Sequence, residues 1–508
     1  MQEPPGILHS LRRLVAPLAA ILAGLHVLSL GGVVPVDDDY IVYRYAMNWV
    51  EHGVHTFNLA EGATDGVTTP LWFWIVSLGV AAGAAPEIWS LAWGAGAMAL
   101  TALLLAHTGR RLLPVGWAWF PALLFAISPA AAWHARAGLG TLPMAFAMAL
   151  AVDRLVAFQK GQGRAWHVGA ALAAAVLFRL EGALLVVAAA WAMRRSLRTF
   201  WPAVAIPVLA AAVVCSGRWI MFGHWLPASG ALKALPLAEE LEYGARYLLR
   251  SFSEGGLALW LAAGACAWAG GTRAEPGKDE GARRLRDAFG ATCTLALLFV
   301  MLVGGDWMVY GRLMVPFLPV AILGASSWIA NWSVGPKLQS LGAVALLAAS
   351  VVGFAARPQA AFENRFFERW WLDVGQALKE KVEPGRKVAL SPIGAIGWSS
   401  ELPIVDILGL THDAFHDLPP DLKGVGVKGH HRHSADWVFL QRPDYLILGN
   451  GIVQPGTGQV SVNPWEADIV RDSRFQAAYV QDRCDIDRGG GDRGVLPYLR
   501  LRSAPRIL

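Results

Sequence analysis

Residues 14–48, LVAPLAAILAGLHVLSLGGVVPVDDDYIVYRYAMN, place a long apolar run directly before three consecutive carboxylates. The run from Leu14 to Val34 has about 20 residues, which is enough to span a bilayer as a helix. Two arginines precede it, and it ends without the small-residue cleavage site of a signal peptide. We therefore predict an uncleaved transmembrane helix whose N-terminus lies in the cytoplasm, so that the acidic stretch emerges on the outer side.

The whole chain shares this apolar character. Of its 508 residues, 55% are hydrophobic and 16% are charged, with a mean hydropathy of +0.42. Ordinary soluble domains carry about a quarter charged residues, so the composition excludes a soluble enzyme. Apolar runs fill residues 14–356, whereas residues 357–508 resemble a water-soluble domain. We predict a polytopic α-helical membrane domain over 1–356 and a soluble α/β domain over 357–508.

Short basic links separate the apolar segments and indicate the topology. The net charge of +5 comes from 43 Lys plus Arg against 38 Asp plus Glu, and its placement in short links argues against nucleic-acid binding. The links lie at 110–111, 160–164, 194–198, 272–286 and 337. The positive-inside rule puts all of them in the cytoplasm if 70–107 makes one net crossing, which gives about eleven crossings. The tail domain is then expected outside the cytoplasm, at the outer face of the cytoplasmic (inner) membrane.

The links that remain share the outer face and carry most of the unusual polar residues. The first outer loop spans 35–69 and begins with the acidic stretch. Other ionisable residues on this face include His134, Arg136, Arg179, Glu181, Lys233, Asp306 and Arg312. Ionisable groups near membrane depth are costly and usually face a cavity. Their convergence predicts an active site at the outer membrane surface.

The acidic stretch has the pattern of a helix start, with carboxylates at the positive end of the helix dipole. A solvated helix start is the alternative interpretation of these residues taken alone. Three adjacent carboxylates cannot all ionise without repulsion, so at least one pKa is expected to rise unless a cation such as Arg44 is near. A carboxylate here is suited to act as a general base or as a metal ligand.

Several motifs along the chain resemble one family of membrane enzymes. The first loop reads DDDYIVYRYA (37–46), then Phe57-Asn58 and GVTTPLW (66–72). These resemble polyprenyl-phosphate-dependent glycosyltransferases of the GT-C superfamily, most of all the mycobacterial terminal arabinofuranosyltransferases and their uncharacterised proteobacterial relatives. Further matches follow in order: RLEG (179–182), FGHWLP (222–227) with Lys233, GGDWMVYGR (304–312), GAIG (394–397), VDILGL (405–410) and RPDY (442–445). The chain departs from the family pattern at Leu180, His224 and Ala228, where the family has Pro, Asp and Asn.

The resemblance implies an inverting transferase with a polyprenyl-phosphate sugar donor, carrying arabinofuranose or another pentose or hexose. The acceptor would be a hydroxyl of a cell-envelope glycan, lipid or protein, and membrane lipids would surround the body. Asp37 or Asp38 would be the general base, with Asp39 at the family's variable place. Cationic side chains would stabilise the leaving phosphate. The implied donor-site residues are Tyr40, Arg44, Arg179, Glu181, Lys233, Asp306 and Arg312. A structural ion pair is the alternative for Arg179 with Glu181.

The tail has short β-like runs at 387–390, 403–407 and 445–448 that alternate with turns, which predicts a small α/β domain. The run GHHRH (429–433) lacks the spacing of a zinc site. We interpret it as a polar loop facing the active-site mouth, with metal binding and a solvated loop as alternatives. The candidate acceptor-side residues are His134, Arg136, His430 and His431, and a helix cap is an equal alternative for the first two. The glycine run 488–492 predicts a turn. The motifs fit an enzyme with or without a divalent cation at the acidic stretch.

Two other classes of protein also fit a polytopic chain. A lipid-linked-sugar transporter or flippase would place polar groups in the body, but the sequence shows no internal hydropathy repeat. A non-catalytic receptor or scaffold would use the tail alone. Within the GT-C enzymes, a protein-mannosylating or lipid A-modifying transferase is the alternative.

Overall fold

The computed structural model of the protein describes residues 7–270, 280–331, 336–415, 417–422, 427–452, 459–487 and 493–507. A helical body leads into a smaller tail domain built on a mixed sheet, as the sequence predicts. Part of the predicted basic link 272–286 and the predicted glycine turn 488–492 lie outside the described residues.

The body consists of helices of very different lengths. They are α1 (Ile7–Leu28), α2 (Asp37–His52), α3 (Pro70–Ala81), α4 (Pro86–Leu112), α5 (Phe120–Ala126), α6 (Pro129–Ala137), α7 (Thr141–Gln159), α8 (Ala165–Phe178), α9 (Ala183–Ala192), α10 (Leu197–Phe222), α11 (Ala228–Lys233), α12 (Leu237–Ser253), α13 (Leu257–Gly270), α14 (Glu280–Leu302) and α15 (Leu318–Ala330). Among the described residues, α4, α7, α10 with its preceding turn, and α14 are long and apolar enough to cross a membrane, and six apolar helices are shorter. The chain is an integral membrane protein.

The apolar stretch 115–133 does not form a single helix. The structure divides it into α5 and α6 because Ser128 and Pro129 begin a new helix. The Ser128 hydroxyl accepts the backbone N–H of Ala131 at 3.3 Å, and Pro129 occupies the first helical position, where it needs no N–H partner. A one-turn 3₁₀ helix, Leu180–Gly182, separates α8 from α9.

The apolar stretch 338–356 lies within a much longer helix. Helix α16 (Pro336–Lys381) has 46 residues and crosses the predicted domain boundary at residue 356 without a break. Glu, Lys and Arg are good helix formers, so the change from apolar to polar composition marks a change of surroundings and not the end of the helix. Its last part packs on the tail, where Trp370 and Trp371 donate to the carbonyls of Gly451 and Asn450, each at 3.2 Å.

The tail domain is a five-stranded sheet with short helices. Its elements are β1 (Val388–Leu390), α17 (Ile393–Ser400), β2 (Ile404–Asp406), α18 (Ala435–Leu440), β3 (Tyr445–Ile447), α19 (Ala467–Arg471), α20 (Ser473–Ala478), β4 (Tyr479–Asp487) and β5 (Arg493–Leu501). The strand order is β2-β1-β3-β5-β4, with β1 parallel to β2 and β3 and with β5 antiparallel to β3 and β4. The three predicted strands are confirmed, whereas β4 and β5 were not predicted.

The tail docks on the first outer loop of the body. The Asn58 side chain pairs with the backbone of Ile404 in β2, accepting its N–H at 3.1 Å and donating to its carbonyl at 2.8 Å. Trp398 of α17 donates to Glu87 at the start of α4, at 3.0 Å. The outer loop therefore lies between the membrane body and the sheet.

Candidate active site

The three consecutive carboxylates of α2 face three different surroundings, because consecutive residues on a helix point about 100° apart. Asp37 is buried against the tail. Its carboxylate accepts the backbone N–H groups of Ala395 at 2.7 Å and Gly394 at 3.1 Å, in the first turn of α17. Burial raises the pKa of Asp37 to about 7, although the two N–H groups oppose the rise.

Asp39 points into the body. Its carboxylate accepts the indole N–H of Trp72 at 2.8 Å and lies against Gly138, where a Cβ atom would collide with it. Burial raises the pKa of this carboxyl to about 6. The pKa is thus raised for two of the three carboxyls, but its main cause is burial and not the mutual repulsion that the sequence suggests.

Asp38 faces an open cavity of about 860 Å³, a volume suited to a ligand larger than a single sugar. Its side chain is 24% exposed, and one carboxylate oxygen lies 3.4 Å from Nη1 of Arg312. Of the three carboxylates, Asp38 is the one that lines this cavity. A base that abstracts a proton must reach the reacting hydroxyl, so the geometry favours Asp38 for that role.

Six of the predicted site residues meet at this cavity. They are Asp38, Arg179, Glu181, Lys233, Asp306 and Arg312. They come from α2, from the break between α8 and α9, from the end of α11 and from the loop between α14 and α15. The convergence of these distant segments is what the sequence predicted for the outer face.

Arg312 and Asp306 form a buried ion pair in the α14–α15 loop. Burial opposes ionisation of Asp306, but the nearby charges of Arg312 and Lys233 outweigh it and lower the pKa of this carboxyl to about 2. Arg312 thus pairs with Asp306 and also faces Asp38, so one guanidinium joins two carboxylates.

The loop itself is held by a residue that sequence reasoning missed. Arg250 of α12 donates to the backbone carbonyls of Trp307 at 2.9 Å and Asp306 at 3.1 Å. Gly304 has φ +69°, and a Cβ there would collide with the Glu240 carboxylate. The two glycines of the GGD motif therefore permit a close approach of the loop to α12.

Arg179 and Glu181 form an ion pair on the cavity wall, with side chains that are 18% and 8% exposed. The extended backbone of Arg179, with φ −160°, ends α8 and turns both side chains toward the cavity. Lys233 reaches the cavity from α11. Among the described residues, no carboxylate lies within ion-pair distance of Lys233, which makes it the cation most available to an anionic ligand.

The tail supplies a further cation that the sequence reasoning did not identify. Lys428 lines the cavity and forms a buried ion pair with Glu240 of α12. Burial lowers the pKa of Lys428, and the Glu240 carboxylate opposes that fall. In the sequence, Lys428 directly precedes the GHHRH run, and that run draws attention to its histidines and not to the lysine.

His224, which departs from the family pattern, also lines the cavity. Its Nε2 lies 3.0 Å from the carboxylate of Asp65, and the same carboxylate pairs with Arg218. The Asp65 side chain is 1% exposed. The family's Asp at position 224 would place a second negative charge beside this buried carboxylate. The histidine found in this chain therefore suits its surroundings better.

Arg44 and Tyr40 do not line the cavity. This corrects the prediction that both are donor-site residues. The Arg44 guanidinium donates to the backbone carbonyls of Phe57 at 2.7 Å, Leu402 at 2.8 Å and Gly397, all around the docked tail. Tyr40 is 1% exposed and packs edge-on against Tyr43. Their side chains face the tail and the interior because they lie on other faces of α2 than Asp38.

The four candidate acceptor-side residues also lie apart from the cavity lining. His134 is buried, with Nε2 3.2 Å from the carbonyl of Val309, and burial lowers its pKa to about 3. Arg136 donates to the carbonyl of Val33 at 2.8 Å. His430 packs on Trp465, and His431 lies 3.2 Å from the hydroxyl of Tyr243. The polar loop borders the cavity, but through Lys428.

The cavity residues do not fit a resident divalent cation. Within the described part of the chain, no group of three or more His, Cys, Asp or Glu side chains could hold a metal ion. Two carboxylates that line the cavity, Asp38 and Asp306, share Arg312 as their counter-ion. The positive charge that a divalent ion would bring is supplied by a guanidinium.

Solved structures of three membrane proteins resemble this fold. The oligosaccharyltransferase AglB from Archaeoglobus fulgidus, solved with an inhibitory peptide and a dolichol-phosphate, matches with a TM-score of 0.50 at 12% identity, over 85% of this chain and 69% of that one. ArnT from Cupriavidus metallidurans in the apo state matches with 0.50 at 13% identity, over 77% and 84%. Arabinofuranosyltransferase AftD from Mycobacteria matches with 0.50 at 16% identity, over 97% and 42%. The chain therefore has the GT-C fold.

The sequence comparisons add little beyond the fold. A family model described as a domain of unknown function (DUF8728) matches residues 359–495, which comprise the end of α16 and most of the tail domain. No curated protein matches the sequence significantly.

Proposed function

We propose that the protein is an inverting glycosyltransferase that uses a polyprenyl-phosphate sugar as donor and a hydroxyl of a cell-envelope glycan, lipid or protein as acceptor. The observation that carries the proposal is the pairing, in one cavity, of a partly exposed carboxylate, Asp38, with the cations Arg312, Lys233 and Arg179. A base and a phosphate site are the two parts that this reaction needs.

The reaction follows from this arrangement. Asp38 takes the proton of the acceptor hydroxyl as its oxygen attacks the anomeric carbon. The bond between that carbon and the phosphate oxygen breaks, and the polyprenyl phosphate leaves with the electron pair. Lys233 and Arg179 stabilise the charge on the leaving phosphate, since charge-assisted hydrogen bonds to oxyanions are strong. One direct displacement inverts the configuration of the sugar.

Arg312 has a different role in this proposal. It is paired with Asp306 on one side and faces Asp38 on the other, so it orients the base within the cavity. No step passes through a metal ion, and we expect transfer to continue in EDTA.

The donor and the orientation are proposed on the same grounds. The GT-C fold is shared with AglB, whose structure contains a dolichol-phosphate, and with the arabinofuranosyltransferase AftD. We propose an arabinofuranose donor first and another pentose or hexose second. The cavity and the tail domain would lie at the outer face of the cytoplasmic membrane, with the N-terminus in the cytoplasm, as the basic links indicate.

The test is transfer by the purified protein in nanodiscs from a panel of polyprenyl-phosphate sugars that includes the arabinofuranose donor. Asp38→Asn is expected to lower transfer by about 100-fold or more, as for loss of a general base. The matched control is Glu51→Gln, an exposed carboxylate on the same helix. Inversion is checked by NMR of the product. Lipid movement across vesicles without cleavage of the glycosidic bond would instead show a transporter.

A further inference from the structure

The helix that carries the proposed base is bound at two points by one helix of the tail. Asp37, in the first turn of α2, accepts two N–H groups at the start of α17. Arg44, two turns further along α2, donates to the Gly397 carbonyl and to the Leu402 carbonyl just beyond α17. The Asp37 carboxyl therefore caps the N–H groups at the start of α17, and the Arg44 guanidinium caps the carbonyls at its end.

Two glycines of the GAIG motif make this contact possible. A Cβ atom on Gly394 would lie 1.8 Å from the backbone oxygen of Asp37, and one on Gly397 would lie 3.1 Å from Nη1 of Arg44. A motif in the tail and a motif in the first outer loop, more than 340 residues apart, thus describe the two sides of one interface.

The position of α17 next to the sheet also makes its first turn suited to bind a carboxyl group. It follows β1, a parallel strand flanked by β2 and β3, and the start of such a helix is where α/β domains commonly bind an anionic ligand. In this protein the Asp37 carboxylate fills that place. Because a buried carboxylate that loses its donors is costly, α17 cannot move away from α2 without a penalty.

We propose that the tail domain braces the catalytic helix: Asp37 and Arg44 are positioning residues that bind α17 and thereby hold Asp38 at its place facing Arg312. The proposal rests on the proposed transferase function for its kinetic consequences, but the brace itself is independent of the reaction. It gives the soluble domain a task in catalysis that requires no substrate contact.

Three variants separate positioning from binding. Asp37→Ala removes both acceptors, and Gly394→Ala pushes α17 from α2 without changing any residue of the cavity. Both are expected to lower kcat by about 10- to 100-fold, the scale expected for misplacement of a reacting group. The donor KM is expected to stay near wild type, since Lys233 and Arg179 are unchanged. Asp37→Asn keeps one acceptor and should recover part of the loss.

The matched control is Gly96→Ala on α4, where an added Cβ has nothing within 4 Å. It is expected to leave kcat and KM unchanged. A rise in donor KM with constant kcat in Gly394→Ala would overturn the brace, because it would indicate that the tail acts on substrate binding.

Hydrogen exchange measured by mass spectrometry gives a readout that does not depend on the reaction. We expect Asp37→Ala and Gly394→Ala to speed exchange in peptides covering 37–48 and 391–400 together, whereas Asp38→Asn leaves both slow. Faster exchange in 391–400 with wild-type exchange in 37–48 would overturn the proposal. If the two peptides respond together but the wild type transfers no sugar from any donor, the brace is supported and the proposed function fails.

Discussion

Asp38 and Arg312 are 274 residues apart in sequence, and their side chains lie 3.4 Å apart at the wall of the cavity. Arg312 is only 8% exposed, and its other partner, Asp306, is 6% exposed. Asp38 thus faces a cation that already forms an ion pair with a second carboxylate. This balance leaves Asp38 near a positive charge without a tight ion pair of its own, and the first prediction tests it.

Replacement of Asp306 by Asn is expected to destabilise the protein and to slow transfer. Removal of one partner of a buried ion pair costs about 3–5 kcal/mol, because the other charge stays buried. Arg312 would then turn to Asp38 and pair with it tightly, so that the Asp38 carboxylate is less available to an acceptor hydroxyl. Thermal unfolding in detergent and kcat measure the two effects. The double variant Asp306→Asn/Arg312→Gln should regain stability but not activity, and a wild-type unfolding temperature for Asp306→Asn would contradict the expectation.

The two lysines at the cavity are expected to respond differently to replacement by Met. Lys233 has no carboxylate within ion-pair distance among the described residues, so Lys233→Met should raise the donor KM with little change in unfolding temperature. Lys428→Met leaves Glu240 buried without its partner, so it should lower the unfolding temperature.

The control for this pair is the double variant Lys428→Met/Glu240→Gln, which removes both charges and should recover the lost stability. Equal effects of the two single variants on stability would contradict the assignment of Lys233 as the cation available to the donor phosphate.

The sequence predicted the membrane body, the tail sheet and six of the residues at the cavity. It did so because apolar runs report membrane helices directly, and because motifs such as GGDWMVYGR combine the ionisable group with the glycines that its loop needs. The order of these motifs, from the first outer loop to the tail, also resembles the order in the GT-C glycosyltransferases.

What the sequence could not show is the direction in which each side chain points. Asp37, Asp38 and Asp39 are equivalent as letters, and only the packing around α2 assigns one to the tail, one to the cavity and one to the interior. Arg44 is predicted to bind phosphate because the sequence shows its charge but not the face of α2 on which it lies. Lys428 and Glu240 were missed because their pairing joins a tail loop to α12 across 188 residues.

The pH dependence of stability is expected to carry the signature of Asp37. Burial raises its folded pKa from 3.8 to about 7, so the folded protein binds this proton more tightly than the unfolded chain does. The contribution of this group to the free energy of unfolding is therefore greatest below pH 3.8 and is lost as the pH rises through about 7. The charged groups facing it are Asp38, Glu368 and Asp406.

Asp37→Asn removes this titration. The stability of the wild type relative to the variant is therefore expected to fall between about pH 4 and about pH 7 and to level off above that. Thermal unfolding of both proteins across this range measures the difference, with Glu51→Gln as the matched control. A difference between wild type and Asp37→Asn that does not change with pH would show that Asp37 stays ionised in the fold.

The family's aspartate at position 224 is expected to be harmful in this chain. His224 lies 3.0 Å from the Asp65 carboxylate, which is 1% exposed and already pairs with Arg218. His224→Asp would bring a second carboxylate to the same place, and two like charges about 4 Å apart repel by about 4 kcal/mol at an effective dielectric constant of about 20. His224→Asn keeps a hydrogen-bond donor for Asp65 and should be milder. We therefore expect His224→Asp to unfold at a lower temperature than His224→Asn. The exchange variant His224→Asp/Asp65→Asn, in which the amide donates to the new carboxylate, should recover most of the difference. Equal unfolding temperatures for the two single variants would show that Asp65 does not set the residue at position 224.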